Sequence, residues 1–286
     1  MGFNFLYNFK KCVEDFSKSL SDIDKLPDNE LIETGRDNFI DNRGIISNFY
    51  IDDSINMIGY VESKKNTIRG NHYHPVQTQK CLLIKGKFIS VTKDLLDPTS
   101  VIETRLINEG DLSTIPPNVA HTMVFLEDSI FLNLVNGERE HKNYGMTHTL
   151  KHELVDKDLG KLLINSYKTE CRVCGGGLNH YLSLGLSPLA NNLNDKKNSS
   201  NDLYPLDLNF CKKCSNSQLS VVVPPEKMFD NYLYLSSTSE NFKNHFMNFA
   251  RELKQDLNLN KNSMIVDIGS NDGIFLEPIL NLGIKN

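Results

Sequence analysis

The chain has 286 residues, of which 39% are hydrophobic and 23% are charged, a balance typical of folded domains and not of disordered chains. Its net charge of −5 provides no overall attraction to nucleic acid or to an anionic membrane surface, so we expect neither as a partner. No apolar run approaches the roughly 20 residues that a membrane-spanning helix needs, and the N-terminus does not read as a secretory signal, so we expect a cytoplasmic protein.

The first predicted element is an amphipathic helix within residues 1–27. Apolar side chains recur there every three or four residues, and Pro27 is expected to end the helix. The polar face is not basic enough for a helix that lies on a membrane surface. We therefore expect this helix to pack on its own domain or on a second subunit.

Residues 28–160 are predicted to form a mainly β domain. Short β-rich runs recur in this region, and turn signals such as Asp97-Pro98 and Asn136-Gly137 separate them. The runs are MIGYVE, KCLLIKGKFISV, VIETRLI and SIFLNLV. Many short strands with regular turns are typical of an antiparallel barrel or sandwich.

Three histidines are the candidate functional residues of this β domain. His72 and His74 are two residues apart, so on a strand their side chains leave the same face, and His121 could reach them from a neighbouring strand. Three imidazoles at one point suit a divalent metal ion, and they equally suit a general base with orienting partners. A surface or hydrogen-bonded core role is the alternative. Because Arg69 and Lys80 flank the pair, we predict a functional pocket.

The segments RGNHYHPVQTQK and IPPNVAH resemble the two motifs of the cupin superfamily, at residues 70–86 and 110–121. Within that superfamily they look like the dTDP-4-dehydrorhamnose 3,5-epimerase family and related sugar-nucleotide cupins, including metal-binding ones of capsule biosynthesis. The resemblance implies a double-stranded β-helix, which is a jelly-roll-like barrel, and a nucleotide-linked 4-keto deoxysugar as the ligand. By analogy with other cupins, we also expect a homodimer through this domain.

The resemblance to the epimerases also implies roles for individual residues. His72 would be the base that removes a proton from the carbon next to the 4-keto group, and Tyr144 is a candidate acid by its location alone. Four residues would line the sugar pocket: Arg69, His74, Lys80 and His121. The sequence departs from the family pattern at His74, where the epimerases have glutamine, and at Gln79, where metal-binding cupins have glutamate.

Two C-x-x-C pairs predict a zinc-binding module at residues 166–225. Cys171 and Cys174 form one knuckle, Cys211 and Cys214 form the other, and together they supply the four thiolates of a closed tetrahedral zinc site. A redox-active C-x-x-C is the alternative for either pair alone, but it would need only one pair. Closed four-cysteine sites stabilise folds and do not catalyse, so we expect a structural zinc ion.

A glycine turn lies near the C-terminal end of the sequence, in the segment IVDIGSNDG. A short apolar strand that runs into such a turn suits an adenosyl cofactor, although a plain strand-turn-helix is the alternative. From Cys171 onward, the segments CRVCGG, LGLSPLANN and VDIGSNDG resemble zinc-containing, S-adenosylmethionine-dependent C-methyltransferases of nucleotide-linked deoxysugars. That resemblance implies cofactor contacts from four residues: Tyr234, Gly269, Asn271 and Gly273.

Residues 226–286 are therefore interpreted as the start of an α/β, Rossmann-like methyltransferase domain. Only 13 residues follow Gly273, counted from 274 to 286, whereas a doubly wound domain needs several more β-α units. We expect this part to be incomplete and inactive in methyl transfer as written. The expected function is nucleotide-sugar tailoring, in which the cupin binds and could epimerise or isomerise an NDP-4-keto-6-deoxysugar. The alternative is a non-catalytic sugar-binding cupin docked on a zinc-containing C-methyltransferase.

Overall fold

The computed structural model describes residues 29–51, 54–136, 148–190, 192, 202–230 and 235–285. The chain divides into two compact units: the first extends to Lys227, and the second consists of residues 228–286 with the short segment 191–193. The expected N-terminal helix at 1–27 lies outside the described residues, as do Tyr144 and Tyr234. Each helix in the described ranges is too short or too polar to cross a membrane.

Twelve strands lie before residue 152 in the described part of the chain. Their bounds are β1 (Leu31–Thr34), β2 (Arg36–Asp41), β3 (Gly44–Asn48), β4 (Met57–Ser63), β5 (Ile68–Tyr73), β6 (Gln79–Lys85), β7 (Lys87–Asp94), β8 (Glu103–Asn108), β9 (Asp111–Ile115), β10 (Val119–Phe125), β11 (Ser129–Val135) and β12 (Leu150–Lys151). Strands β2 and β3 form a separate hairpin. The other strands form two antiparallel sheets, in the orders β1-β9-β6-β11-β4 and β12-β5-β10-β7-β8. We call these two sheets the jelly roll.

The interior of the jelly roll is apolar at one end. Phe88, Phe125 and Phe131 pack with ring centroids 5.4 to 6.4 Å apart, and Leu83 and Ile107 complete the cluster. Full burial of each such side chain contributes about 1.5–3 kcal/mol. Alternation along β6, β7 and β10 then places polar side chains at the other end of the same interior. The mainly β fold class expected from the sequence is confirmed.

The outer face of the second sheet is covered by helix α1 (Lys157–Ser166). Asp156 caps this helix by accepting hydrogen bonds from the backbone N–H groups of Asp158 and Leu159. The helix buries Leu163 against Ile89, Val91, Ala120 and Val124 of the sheet, and Val221 from beyond the cysteine knuckles joins the same cluster. The following segment therefore shares a core with the jelly roll.

That segment contains a small antiparallel sheet of three strands, β13 (Asn179–Pro188), β14 (Leu203–Phe210) and β15 (Ser217–Leu219). The two cysteine knuckles precede β13 and follow β14. Each knuckle closes on its own backbone: Gly175 N donates to Cys171 O at 2.8 Å, and Ser215 N donates to Cys211 O at 2.8 Å. We call residues 171–221 the zinc module.

The second unit is helical in its described part. Helix α2 (Pro225–Phe229) leads into it, and a short 3-10 turn (Ser236–Thr238), α3 (Glu240–Asp256) and α4 (Leu276–Asn281) follow. Ala250, Ile279 and Ile284 form its core.

The apolar strand expected just before the glycine turn does not form in residues 235–285. A parallel strand is stable only when neighbouring strands supply its hydrogen-bonding partners and cover its faces, and this described region holds no second strand. Met264, Val266 and Ile268 are accordingly 78%, 75% and 94% exposed. The expected Rossmann-like segment is therefore not seen among these residues.

Candidate functional site

The strand that carries His72 and leads into His74 contains a β-bulge. Gly70 and Asn71 both have left-handed backbone conformations, with φ values of 99° and 55°, and the register of β5 against β10 shifts between His121 and Thr122. The shift leaves His72 directly opposite His121. A Cβ at position 70 would lie 2.6 Å from the carbonyl oxygen of His121, so the close approach of the two strands requires glycine.

The side chain of Asn71 fixes this bulge. Its Oδ1 accepts hydrogen bonds from Leu154 N at 2.9 Å, from Val155 N at 3.0 Å and from Thr122 Oγ1 at 2.7 Å, and its Nδ2 donates to Val155 O at 2.9 Å. Asn71 was not among the residues predicted from the sequence. An asparagine directly after a glycine was the available signal, because asparagine tolerates the left-handed region better than most residues.

The three histidines converge at the polar end of the jelly-roll interior. The ring centroid of His72 lies 5.0 Å from that of His74 and 4.6 Å from that of His121, and the last two centroids are 5.3 Å apart. One ring nitrogen from each residue lies within 4.8 Å of the others. His74 and His121 are buried, whereas His72 is only partly buried and is the member that a ligand could reach.

Backbone carbonyl groups orient two of the three rings. Nδ1 of His121 lies 3.1 Å from Val119 O, and Nδ1 of His74 lies 2.8 Å from His148 O. Since the Val119 carbonyl only accepts, Nδ1 of His121 carries the proton and the lone pair of the neutral ring is on Nε2. At His74 the side-chain oxygen Oε1 of Gln79 lies 2.9 Å from Nε2, so both ring nitrogens face an accepting oxygen and a neutral ring donates to only one of them. This donor set fits a divalent ion of the type that imidazole binds.

A polar row extends from the histidines across the second sheet. His72 lies opposite His121, His121 opposite Thr92, and Thr92 opposite Glu103, so all four share the inner face. On that face Arg105 Nη2 lies 3.4 Å from Glu103 Oε2. These β8 residues were not predicted from the sequence, although charged and uncharged side chains alternate in the segment VIETRLI.

A second buried carboxyl, that of Glu30, lies beside this row. Glu30 is 0% exposed and accepts a hydrogen bond from the Ser113 hydroxyl. Burial raises the pKa of Glu30, and the hydrogen bonds of Ser113 and Ser90 and the charge of Arg105 oppose that rise. The jelly-roll interior therefore holds titratable groups beyond the histidines, and alternation gave no signal for Glu30 because it precedes β1.

The two cations expected in the sugar pocket have other contacts. Arg69 Nε donates to Ser63 Oγ at 2.6 Å, and Arg69 Nη2 donates to Glu62 O at 3.0 Å, which places the guanidinium at the end of β4. Lys80 alternates with the inward-facing Gln79 and Cys81, so it lies on the outer face of the first sheet. The assignment of these residues to the pocket stays a prediction.

The four cysteines of the zinc module converge in the structure. Cys171 Sγ lies 3.6 Å from Cys214 Sγ, and Cys174 Sγ lies 3.5 Å from Cys211 Sγ. All four sulfur atoms are within 4.8 Å of one another. A zinc ion bound at about 2.3 Å would hold four sulfur atoms about 3.8 Å apart in a tetrahedron, so the arrangement fits zinc. A redox-active C-x-x-C needs only its own two cysteines, so it would not explain why the sulfur atoms of the two pairs meet.

The thiol groups share protons unequally. Burial disfavours the thiolate of Cys171, but the backbone N–H groups of Cys174 and Val173 and the thiols of Cys214 and Cys211 outweigh it and lower its pKa to about 6. At Cys214 the backbone N–H group of Asn216 favours the thiolate, yet the neighbouring thiols raise its pKa to about 12. A bound dication would remove this competition by taking the place of the protons.

The glycine turn near the C-terminal end adopts left-handed conformations at the three positions expected to contact a cofactor. Gly269, Asn271 and Gly273 have φ values of 81°, 52° and 81°. A Cβ at either glycine would meet nothing within 4 Å, so backbone conformation, and not close packing, accounts for the glycines. Among the described residues, those around the turn do not by themselves enclose S-adenosylmethionine.

Comparison with known proteins identifies the zinc module first. Residues 171–229 match the family described as "Putative zinc binding domain". The chain is similar to C-methyltransferase NovU of Streptomyces niveus, with 32% identity over 117 residues, which is 40% of this chain. The chain spans 28% of the length of that curated relative.

Solved structures similar to the chain include two enzymes of nucleotide-sugar chemistry. One is dTDP-4-dehydrorhamnose 3,5-epimerase from Sulfolobus tokodaii, with 22% identity over 44% of this chain and 78% of that chain, at a TM-score of 0.38. Another is a 3,4-ketoisomerase from Helicobacter canadensis, with 20% identity over 48% of this chain and 98% of that chain, at a TM-score of 0.37.

Proposed function

We propose that the jelly roll binds a nucleotide-linked 4-keto-6-deoxysugar and transfers a proton next to the ketone, which epimerises or isomerises the sugar. The observation that carries this proposal is the convergence of His72, His74 and His121 on the inner face, in segments that resemble sugar-nucleotide cupins. The zinc module supports a role in sugar tailoring, because the chain resembles a C-methyltransferase and the module shares a core with the jelly roll.

The proposed chemistry begins at His72, the accessible member of the cluster. A hydrogen on the carbon next to a ketone is acidic enough for an imidazole base when the developing negative charge is stabilised. The C–H bond breaks, the proton moves to the imidazole, and the electron pair leaves negative charge on the ketone oxygen. Return of a proton to the opposite face of the same carbon epimerises it. Return of the proton to the former carbonyl carbon, with transfer of the neighbouring hydroxyl proton to the former ketone oxygen, moves the ketone along the ring.

Other residues of the site have supporting roles in this proposal. Backbone carbonyl groups orient the rings of His121 and His74 beside His72. Tyr144 is the proposed acid on the strength of its sequence position. A divalent ion bound by all three imidazoles is the other use of the cluster, in which the ion would supply positive charge for the ketone oxygen and His72 would be a ligand instead of the base. In the zinc module, zinc has a structural role, and the C-methyltransferase to which the module belongs would use S-adenosylmethionine on the same class of keto sugar.

The alternative proposal is a non-catalytic sugar-binding domain docked on the methyltransferase. Its specific support is the placement of Lys80, which lies on the outer face of the first sheet. Without that charge at the histidines, binding could persist while stabilisation of the developing negative charge is weakened.

Solvent deuterium exchange separates the two proposals. The protein is incubated in D₂O with dTDP-4-keto-6-deoxyglucose, and incorporation at the carbons next to the ketone is followed by NMR. Catalysed exchange supports proton transfer, whereas binding without exchange supports the alternative. His72→Ala is expected to lower the exchange rate by about 10²–10⁴-fold. His245→Ala, a change at an exposed histidine of α3, is expected to leave it unchanged.

We also propose a homodimer through the outer face of the first sheet. Ile58 and Tyr60 of β4 lie two residues apart and are both 63% exposed there. Exposed apolar side chains that share one face of a strand can mark an interaction surface. Sedimentation velocity should give a dimer that Tyr60→Asp converts to a monomer. A wild-type monomer at micromolar concentration contradicts the proposal.

A further inference from the structure

The zinc module docks directly beside β8 of the jelly roll. Gly185 of β13 has a φ of 78°, and a Cβ at this position would lie 2.8 Å from the Cβ of Val101, just before β8. Val221, which follows β15, is buried in the same cluster as Ile89 and Val91 of the jelly roll. Such close packing transmits small displacements between the two parts.

One buried hydrogen bond crosses this interface. The hydroxyl group of Thr104 in β8 donates to Oδ2 of Asp207 in β14, and both residues are 0% exposed. The other carboxylate oxygen, Oδ1, accepts from Ser183 Oγ at 2.5 Å, and His180 Nε2 lies 4.0 Å from it. A buried carboxylate with both oxygens engaged strongly resists displacement, because loss of a partner leaves it uncompensated in a desolvated site.

Thr104 lies between two residues that face the histidines. Successive side chains of a strand point to opposite faces, so Thr104 faces the zinc module while Glu103 and Arg105 face the interior. These two form the ion pair of the inner face, and their side chains are 12% and 11% exposed. The position of Thr104 therefore determines where the pair lies relative to His121, two strands away in the same row.

We propose that Asp207 is a positioning residue for the jelly-roll pocket, acting through Thr104 on the Glu103–Arg105 pair. The inference rests on the proposed function of that pocket. Strand β14 runs directly into Cys211, so the cysteine knuckle that binds zinc also anchors the strand that carries Asp207. The zinc module thereby holds one wall of the sugar site, where the ion pair is placed to meet the hydroxyl groups of the bound sugar.

The test compares Thr104→Val and Asp207→Asn with wild type in the full, zinc-loaded chain. Both changes keep the side-chain shape and weaken or remove the same hydrogen bond. We expect each variant to retain one zinc ion per chain and to raise the KM for dTDP-4-keto-6-deoxyglucose at least fivefold, with kcat changed less than twofold. The double variant should be no worse than Asp207→Asn alone, since Thr104→Val removes only the bond that Asp207→Asn already weakens. Asp202→Asn is a matched change at an exposed carboxylate of the same module and should alter neither constant.

Hydrogen exchange of the β8 backbone, measured by mass spectrometry on residues 101–108, provides a readout that does not depend on turnover. Faster exchange in both variants together with the raised KM supports the positioning role. Faster exchange with unchanged KM, or no change in either, overturns it. If wild type binds the sugar nucleotide without turnover, its dissociation constant from calorimetry takes the place of KM. A wild-type protein that neither binds nor turns over this sugar contradicts the proposed function itself.

Discussion

The two clusters of metal-binding side chains differ in where their members come from and in what surrounds them. In the zinc module, four thiols from two tight knuckles leave no position open for a ligand. In the jelly roll, three imidazoles come from two paired strands, and His72 remains partly accessible. Four anionic donors without an open position fit a structural ion. Three neutral donors, one of which is accessible, fit ligand binding or catalysis.

The clusters also have opposite effects on stability. The zinc module has a small sheet and two knuckles, so metal binding supplies folding free energy that its own core cannot. The jelly roll has a phenylalanine-rich core at one end, and that core offsets the cost of burying His121, Thr92 and Glu30 at the other end. Removing a member of the first cluster should therefore weaken the fold, whereas neutralising Glu30, which is buried near the second cluster, should strengthen it where wild type must ionise this group.

The largest expected effect is the loss of zinc from Cys211→Ser. Structural zinc sites of this type contribute apparent binding free energies of about 10–16 kcal/mol, so loss of one thiolate should abolish stoichiometric zinc and unfold the module. Metal content by mass spectrometry and thermal unfolding would measure both effects. Lys212→Ala, at the neighbouring exposed residue, should change neither. Retention of one tightly bound zinc in Cys211→Ser would remove this cysteine from the ligand set.

Gly70→Ala tests how strictly the bulge positions the imidazoles. The added Cβ would meet the His121 carbonyl oxygen at 2.6 Å, in addition to the strain of a φ of 99°. At Gly110 φ is 86°, and an added Cβ would meet no atom within 4 Å. Gly110→Ala therefore introduces the backbone strain without the clash and should lower the free energy of unfolding by about 1–2 kcal/mol. Gly70→Ala should lower the free energy of unfolding, measured in urea, by about 1–3 kcal/mol more than Gly110→Ala does. It should also slow the exchange of deuterium into the keto sugar. Equal costs for the two variants would show that the strands can separate without penalty.

Gln79→Glu tests whether the three histidines bind a metal ion. A carboxylate beside His74 Nε2 supplies the anionic ligand that the three neutral imidazoles lack, so affinity for Ni²⁺ should rise about tenfold or more, which is about 1.4 kcal/mol. Calorimetric titration of the zinc-loaded protein with Ni²⁺ measures this. Gln255→Glu, at an exposed position of α3, makes the same charge change and should have no effect. An unchanged affinity in Gln79→Glu would mean that position 79 does not reach the ion.

Local spacing was sufficient for the parts of the site that local geometry determines. Each C-x-x-C pair forms its own knuckle, and alternation places His72 and His74 on one face, so these groupings followed from the sequence. The meeting of His121 with the other two also agrees with the expected sheet. In each case the backbone period alone fixes the direction of the side chain.

The other features could not be predicted from the alternation of side chains along a strand. The bulge at Asn71 changes which side chains of β5 share a face, so the placement of Arg69 could not be read from residue spacing. The contact between Asp207 and Thr104 joins distant segments with no common motif. The strand expected at 265–268 had the right composition, but a strand also needs neighbours, which a single segment cannot provide.

The smallest expected effect concerns the pH dependence contributed by Glu30 in the jelly-roll interior. Burial raises its pKa above the unfolded value of about 4.3, so the folded state retains a proton that the unfolded chain releases as the pH rises. The stability from this group is therefore fully present below the unfolded pKa and is lost as the pH rises toward the folded pKa, by at most about 1.4 kcal/mol per pH unit. Glu30→Gln removes the titration, and its free energy of unfolding relative to wild type should increase between pH 4.5 and the folded pKa. Urea unfolding at pH 5 and pH 8 measures this difference, with the exposed Glu109→Gln as the matched change. A difference that is independent of pH would mean that Glu30 ionises alike in both states, and the jelly-roll interior would then impose no such cost on stability.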